Sequence, residues 1–188
     1  MRKALIIAIS ILATLPVFAQ RTAQGQFLAS AGVSYNYAFA GSAELRFGQY
    51  LSIGYWDAGL VAENYRYRSS GSGNSFSVLH AVAEGEFMFR LLSTRTRFFN
   101  LYAGSGLFLG AEMTDPYKHL RDGEWPVGSD GKYLPKASFI FGVSPRVEME
   151  FFAFPHTAIT VYGRMPLSIL SKYGVFHVET GLGVKYNF

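Results

Sequence analysis

Near the end of the chain, "FHVE" places His177 and Glu179 two residues apart. On an extended strand, residues i and i+2 share a face. His80 and Glu84 share a face in the same way. A histidine held by a carboxylate can take the proton of a serine, which is acyl-transfer chemistry. The other chemistry open to histidines is metal ligation. His80, His119, His156 and His177 fall on different elements and have no ligand spacing, so the sequence assigns no metal site. The glycine pairs "GSG" (71–73) and "GLG" (181–183) open no helix, so neither cradles a phosphate. The expectation is no catalytic residue, no metal, no cofactor and no small-molecule substrate.

The elements that carry these residues are strands. Apolar and polar residues alternate with period two along almost the whole chain after residue 26. "FLASAGVSYNYAF" sets Phe27, Val33, Tyr35 and Phe39 against Ser30, Ser34 and Asn36. "SAELRFGQYLSI" and "YWDAGLVAENYRYR" repeat the pattern, as do "SVLHAVAEGEFMFRL" and "FFNLYAGSGLFLGAEM". "SFIFGVSPRVEMEFF", "TAITVYGRMPLSI" and the closing "GVFHVETGLGVKYNF" bring the count to eight. The turn between the first two strands is placed at "AGS" (40–42).

"MRKALIIAISILATLPVFAQ" reads as a secretory signal. Arg2 and Lys3 precede a short apolar run and a small-residue end, so residues 1–19 are set aside and cleavage is expected after Ala19. Residues 20–188 then form one domain. The chain has 17 Lys and Arg against 13 Asp and Glu. Loss of Arg2 and Lys3 leaves a nearly balanced domain whose basic residues are scattered, which excludes a nucleic-acid footprint. There is no cysteine, so neither a disulfide scaffold nor a lipoprotein anchor is available. Aromatics make up 16% of the residues, as much as the charged types. No stretch after the signal is apolar enough for a spanning helix.

Exported antiparallel strands with one apolar face close either as a soluble barrel or as a transmembrane one with its faces reversed. The polar face here is rich in glycine and charge, and the apolar face runs for about ten residues per strand, the length a tilted membrane strand needs. Phe98, Phe99, Phe151, Phe152, Tyr186 and Phe188 cluster at strand ends as an interfacial girdle. Together these point to an all-β, eight-stranded antiparallel up-and-down transmembrane β-barrel of the outer-membrane type. An even strand number puts both ends of the barrel in the periplasm and the long 114–136 connection outside.

A barrel of eight strands has an interior just wide enough for side chains. Its inward charges must pair, because an unpaired buried charge is costly. The expected lumen network comprises Glu84, Glu86, Arg146, Glu148, Glu150, Arg164, His177, Glu179 and Lys185. His177 and Glu179 then belong to this network and face away from lipid, where a lipid-cleaving barrel would meet its substrate. In the long loop, Tyr117, Trp125 and Tyr133 are candidate contacts for a partner protein. Phe188 is the candidate aromatic signal for barrel insertion.

Several stretches resemble the TraO family of conjugative transposon proteins. They are "ENYRYR" (63–68), "EGEFMFRLLSTRTRFFNLYAGSGLFLGAE" (84–112), "PRVEMEFF", "VYGR" and "GVFHVETGLGVKYNF". The likeness spans nearly all of the chain after the signal and includes no catalytic signature. It implies an outer-membrane part of a DNA-transfer apparatus with a structural or assembly role. It also implies other conjugal transfer proteins and outer-membrane lipids as partners, with no direct nucleic-acid contact and no enzyme activity. The alternatives are a general small barrel for adhesion or envelope stability, and a lipid-modifying enzyme.

Overall fold

The computed structural model describes residues 24–36, 40–68, 75–94, 98–114, 137–171 and 176–188. The signal segment 1–19 and the loop residues Tyr117, Trp125 and Tyr133 lie outside the described residues. Nine strands follow in order: β1 (Phe27–Asn36), β2 (Ala40–Tyr50), β3 (Gly54–Arg68), β4 (Ser75–Ser93), β5 (Phe99–Thr114), β6 (Ala137–Phe154), β7 (Thr157–Arg164), β8 (Leu167–Ser168) and β9 (Glu179–Asn187). Each pairs antiparallel with its neighbours, and β1 meets β9. β5 pairs with both β4 and β6, so the sheet returns on itself as a closed barrel.

The barrel has eight staves because β7 and β8 share one. β6 pairs with β7 through Arg146↔Arg164 and then with β8 through Gly142↔Ser168. The interruption falls at Met165 and Pro166, where proline has no N–H to give the ladder. Two other boundaries differ from the sequence reading. β2 begins at Ala40, opposite Asn36, so 40–42 is strand. The closing strand begins at Glu179, and Phe176 makes an isolated bridge with Leu167 before it.

Alternation sorts the side chains onto two faces. Leu45, Leu60, Leu107, Phe139, Leu182 and Val184 are exposed on the outside, while charged residues fill the inside. A closed sheet leaves no unpaired strand edge in lipid, and the apolar wall is suited to lipid contact. At one end Phe27 stacks on Phe47 with ring centres 5.7 Å apart, and Tyr186 meets Phe188 at 5.7 Å. Phe99 and Phe151 pair at 5.0 Å. Phe152 departs from the expected girdle. It follows Glu150 on the inward face of β6 and is buried, because alternation overrides its place at a strand end.

Phe188 is half exposed beside Phe47 and Tyr186, and its backbone exchanges hydrogen bonds with Phe27 at 3.2 and 3.1 Å. β3 to β6 have 15 to 19 residues, while β1, β2 and β9 have 9 to 11. Since about 9–11 residues cross a bilayer, these four longer staves rise above the others on one side.

Candidate functional site: a charged lumen

All nine residues expected in the lumen network do line it, and it is larger than expected. Among the described residues, nine buried carboxylates face four buried Arg and Lys side chains. The additions are Glu44, Arg46, Asp57, Glu63, His80 and Glu112. Each stood on a polar face in the sequence. Their membership depends on contacts across the barrel, which adjacent-strand alternation does not reveal.

The charges form three layers. At the end bearing the chain termini, Lys185 Nζ donates to Glu148 Oε1 at 2.5 Å and to Glu150 Oε1 at 2.7 Å. It also sits 3.9 Å from the centre of the Tyr55 ring, a cation–π contact. Tyr55 Oη donates to Glu148 and Tyr50 Oη to Glu150, both at 2.8 Å. Tyr50, Tyr55 and Tyr102 pack edge to face beside Leu28 and Met88 as the apolar plug of this layer.

In the middle layer Arg146 holds Glu44 through two parallel bonds of 3.0 Å, the strongest geometry for this pair. Its third contact is Glu148 at 2.9 Å, and its guanidinium lies 3.9 Å from the Tyr162 ring centre. Arg46 reaches four carboxylates: Glu44 at 3.0 Å, Asp57 at 3.1 Å, Glu84 at 2.5 Å and Glu86 at 3.2 Å. Arg46 and Arg146 come from opposite sides of the barrel and share Glu44 and Glu86.

The outer layer is held by Arg164. It donates to Glu179 Oε2 through Nε at 2.8 Å and reaches Glu84 at 3.3 Å. Ser34 Oγ donates to the same Glu179 oxygen at 2.5 Å. His177 Nε2 lies 2.8 Å from Glu179 Oε1 and 2.5 Å from Glu63 Oε1. Behind them His80 stands between Glu63 at 3.7 Å and Glu112 at 3.4 Å. His177 precedes β9, outside the spanning strands. Burial lowers its pKa, but the bond to Glu179 and the contact with Glu63 outweigh burial and push it up to about 9.

This arrangement bears on acyl-transfer chemistry. Ser34 and Ser42 address the Glu179 carboxylate rather than the His177 ring. His80 and Glu84 share a face, but His80 pairs with Glu63 and Glu112 while Glu84 pairs with Arg46 and Arg164. The cavity beside them has room for about one water, at about 10 Å³. Glycines make space for the large inward rings. A Cβ at Gly181 would lie 2.3 Å from Tyr162 Cζ.

A closed eight-stave barrel with an apolar wall and a lumen packed with ion pairs defines a small barrel of the outer-membrane type. Residues 28–188 match the family described as conjugative transposon protein TraO, and the chain belongs to that family. No curated protein sequence matches it. Among solved structures it is similar to Ail, the attachment invasion locus protein of Yersinia pestis, solved with the heparin analogue sucrose octasulfate. The identity is 13%, covering 88% of this chain and 100% of that one, with a TM-score of 0.50. Neisserial surface protein A is 16% identical, with 87% and 95% covered and a TM-score of 0.48. The N-terminal β-barrel domain of Pseudomonas aeruginosa OprF is 12% identical, with 88% and 98% covered and a TM-score of 0.47. At 13% identity the likeness to Ail speaks for the fold alone.

Proposed function

We propose that this protein is a non-enzymatic outer-membrane component of a conjugative transfer apparatus, with a structural or assembly role. The family match over residues 28–188 carries this reading. The wall supports an outer-membrane location, since the large side chains it exposes, such as Leu45, Leu60, Leu107, Phe139 and Leu182, are apolar. The lumen supports a structural role. It is filled by Arg46, Arg146, Arg164, Lys185 and their carboxylates, which leave no bore for a DNA strand or a solute. The serine placement supports the non-enzymatic reading, since no hydroxyl among the described residues bonds to His177 as a nucleophile would. The barrel then acts as an anchor, and its outer loops meet other transfer proteins. Tyr117, Trp125 and Tyr133 are the contacts proposed for that role.

The test is deletion of the gene from a mobile element, with transfer frequency as the readout. Transfer should fall by orders of magnitude and return on complementation. Unchanged transfer would refute the reading. A change in lipid A mass on overexpression would favour a lipid-modifying enzyme instead.

A further inference from the structure

The outer layer of the lumen contains an arrangement that ion pairing alone leaves incomplete. His177 Nε2 faces two carboxylate oxygens at once, Oε1 of Glu63 and Oε1 of Glu179. The three donor atoms lie within 4.8 Å of one another. An imidazole nitrogen carries one proton at most, and here it forms its hydrogen bond with Glu179. Glu63 Oε1 is buried, aimed at the same nitrogen, and makes no hydrogen bond. One imidazole proton shared between two carboxylates leaves the Glu63 oxygen short of a full bond, and a metal ion that displaces that proton would serve both carboxylates.

The surrounding groups orient these three donors. Arg164 grips both oxygens of Glu179, Oε2 through Nε at 2.8 Å and Oε1 through Nη2 at 3.3 Å, and Ser34 donates to Oε2, so the carboxylate is fixed with Oε1 turned to His177. The second oxygen of Glu63 faces His80, which in turn faces Glu112. Carboxylates fixed through their outer oxygens are the usual support of metal ligands. Four carboxylates, Glu63, Glu84, Glu112 and Glu179, crowd this layer, facing Arg164, the rings of His177 and His80, and Arg46 from the layer below.

The geometry points to a divalent-cation site at the outer mouth of the lumen, formed by His177 Nε2, Glu63 Oε1 and Glu179 Oε1, with zinc the best fit to this ligand set. One imidazole and two carboxylates neutralise the ion and leave a fourth position for water. Zinc–ligand bonds of about 2.0–2.2 Å require the nitrogen and the Glu63 oxygen to part by roughly 1 Å, within the reach of a glutamate side chain. Glu63 is on β3 and His177 enters β9, with β1 and β2 between them in the sheet. The ion would therefore tie two non-adjacent staves across the lumen and brace its mouth.

The test uses the full barrel refolded in detergent, washed with chelator, and titrated with Zn²⁺ and with Co²⁺. The expected result is one Zn²⁺ per chain by elemental analysis. Co²⁺ should give visible bands of four- or five-coordinate intensity that Zn²⁺ abolishes. His177→Ala and Glu63→Gln should each weaken binding by at least about tenfold, while His156→Ala, at the opposite end of the barrel, should leave it unchanged. Folding of each variant is checked by its gel shift on boiling. Substoichiometric binding to the unmutated barrel would overturn the site, and a protonated His177 would then bridge the two carboxylates alone. Undiminished binding by folded His177→Ala and Glu63→Gln would overturn it as well. The Co²⁺ spectrum of the unmutated barrel decides the matter even if both variants fail to fold. None of these readouts depends on conjugation, so the site and the transfer role stand or fall separately.

Discussion

Arg146 and Arg164 stand directly opposite one another on neighbouring staves, both pointing into the lumen. Two like charges at paired inward positions repel, and directly opposed like charges destabilise a sheet. Here each is turned to a different layer. Arg146 takes Glu44 and Glu148, and Arg164 takes Glu179 and Glu84. The pair works only because carboxylates from distant strands reach both.

Arg146→Met is expected to lower the unfolding free energy by about 3–5 kcal/mol, because it leaves Glu44 and Glu148 short of a buried partner. Arg146→Lys should cost less, since it keeps the charge and loses the paired bonds to Glu44. Urea unfolding in detergent, followed by tryptophan fluorescence, measures both. A loss under about 1 kcal/mol for the methionine variant would show that the network contributes little.

Lys185 lies between Glu148 and Glu150, so its removal and theirs must be coupled. Lys185→Met alone should destabilise strongly. Adding Glu148→Gln and Glu150→Gln should recover part of the loss, as the uncompensated charges go too. Additive losses in the triple variant would contradict the pairing.

Gly181→Ala drives a Cβ into the Tyr162 ring and should cost on the order of 1–3 kcal/mol. Tyr162→Leu in the same chain should lessen that cost, whereas Tyr162→Phe should not, because the clash is with the ring itself. Equal losses in both double variants would locate the strain elsewhere.

Leu60 is exposed near the middle of β3 and Phe154 at the end of β6. Leu60→Arg should cost about 2–4 kcal/mol in lipid vesicles and Phe154→Arg about 0–1 kcal/mol. If Leu60→Arg is silent, the apolar wall does not face lipid.

Tyr117, Trp125 and Tyr133, changed together to Ala, should reduce transfer while the barrel still shifts on boiling. Protease added to intact cells should cut within 114–136. Cleavage only at a short turn such as 92–97 would invert the topology.

The sequence made the wall and the inward set legible, because period-two alternation needs only neighbouring residues. All nine lumen residues read that way do lie inside. The partnerships were hidden. Arg146 and Glu44 are 102 positions apart, and their meeting depends on barrel closure and stagger, which one sequence does not encode locally. Glu63 was visible as a polar-face residue, but its approach to His177 depends on the same closure. Phe152 was misplaced because a run of aromatics at a strand end resembles a girdle, while the pleat turns every second one inward. The alternation of "TAITVYGRMPLSI" predicts one continuous strand, because it survives the proline that breaks the hydrogen bonding between β7 and β8.

β9 contributes more than a stave. It brings Lys185 to Glu148 and Glu150 on β6, and Glu179 to Arg164 on β7. It follows the other described strands in chain order. Until it docks, Glu150 lacks its cation, Glu148 keeps Arg146, Arg164 keeps Glu84, and the β1 edge has no partner. A barrel without β9 would be both open at one edge and electrostatically unbalanced. The same strand that closes the hydrogen-bonded wall therefore also completes the charge pairing inside it.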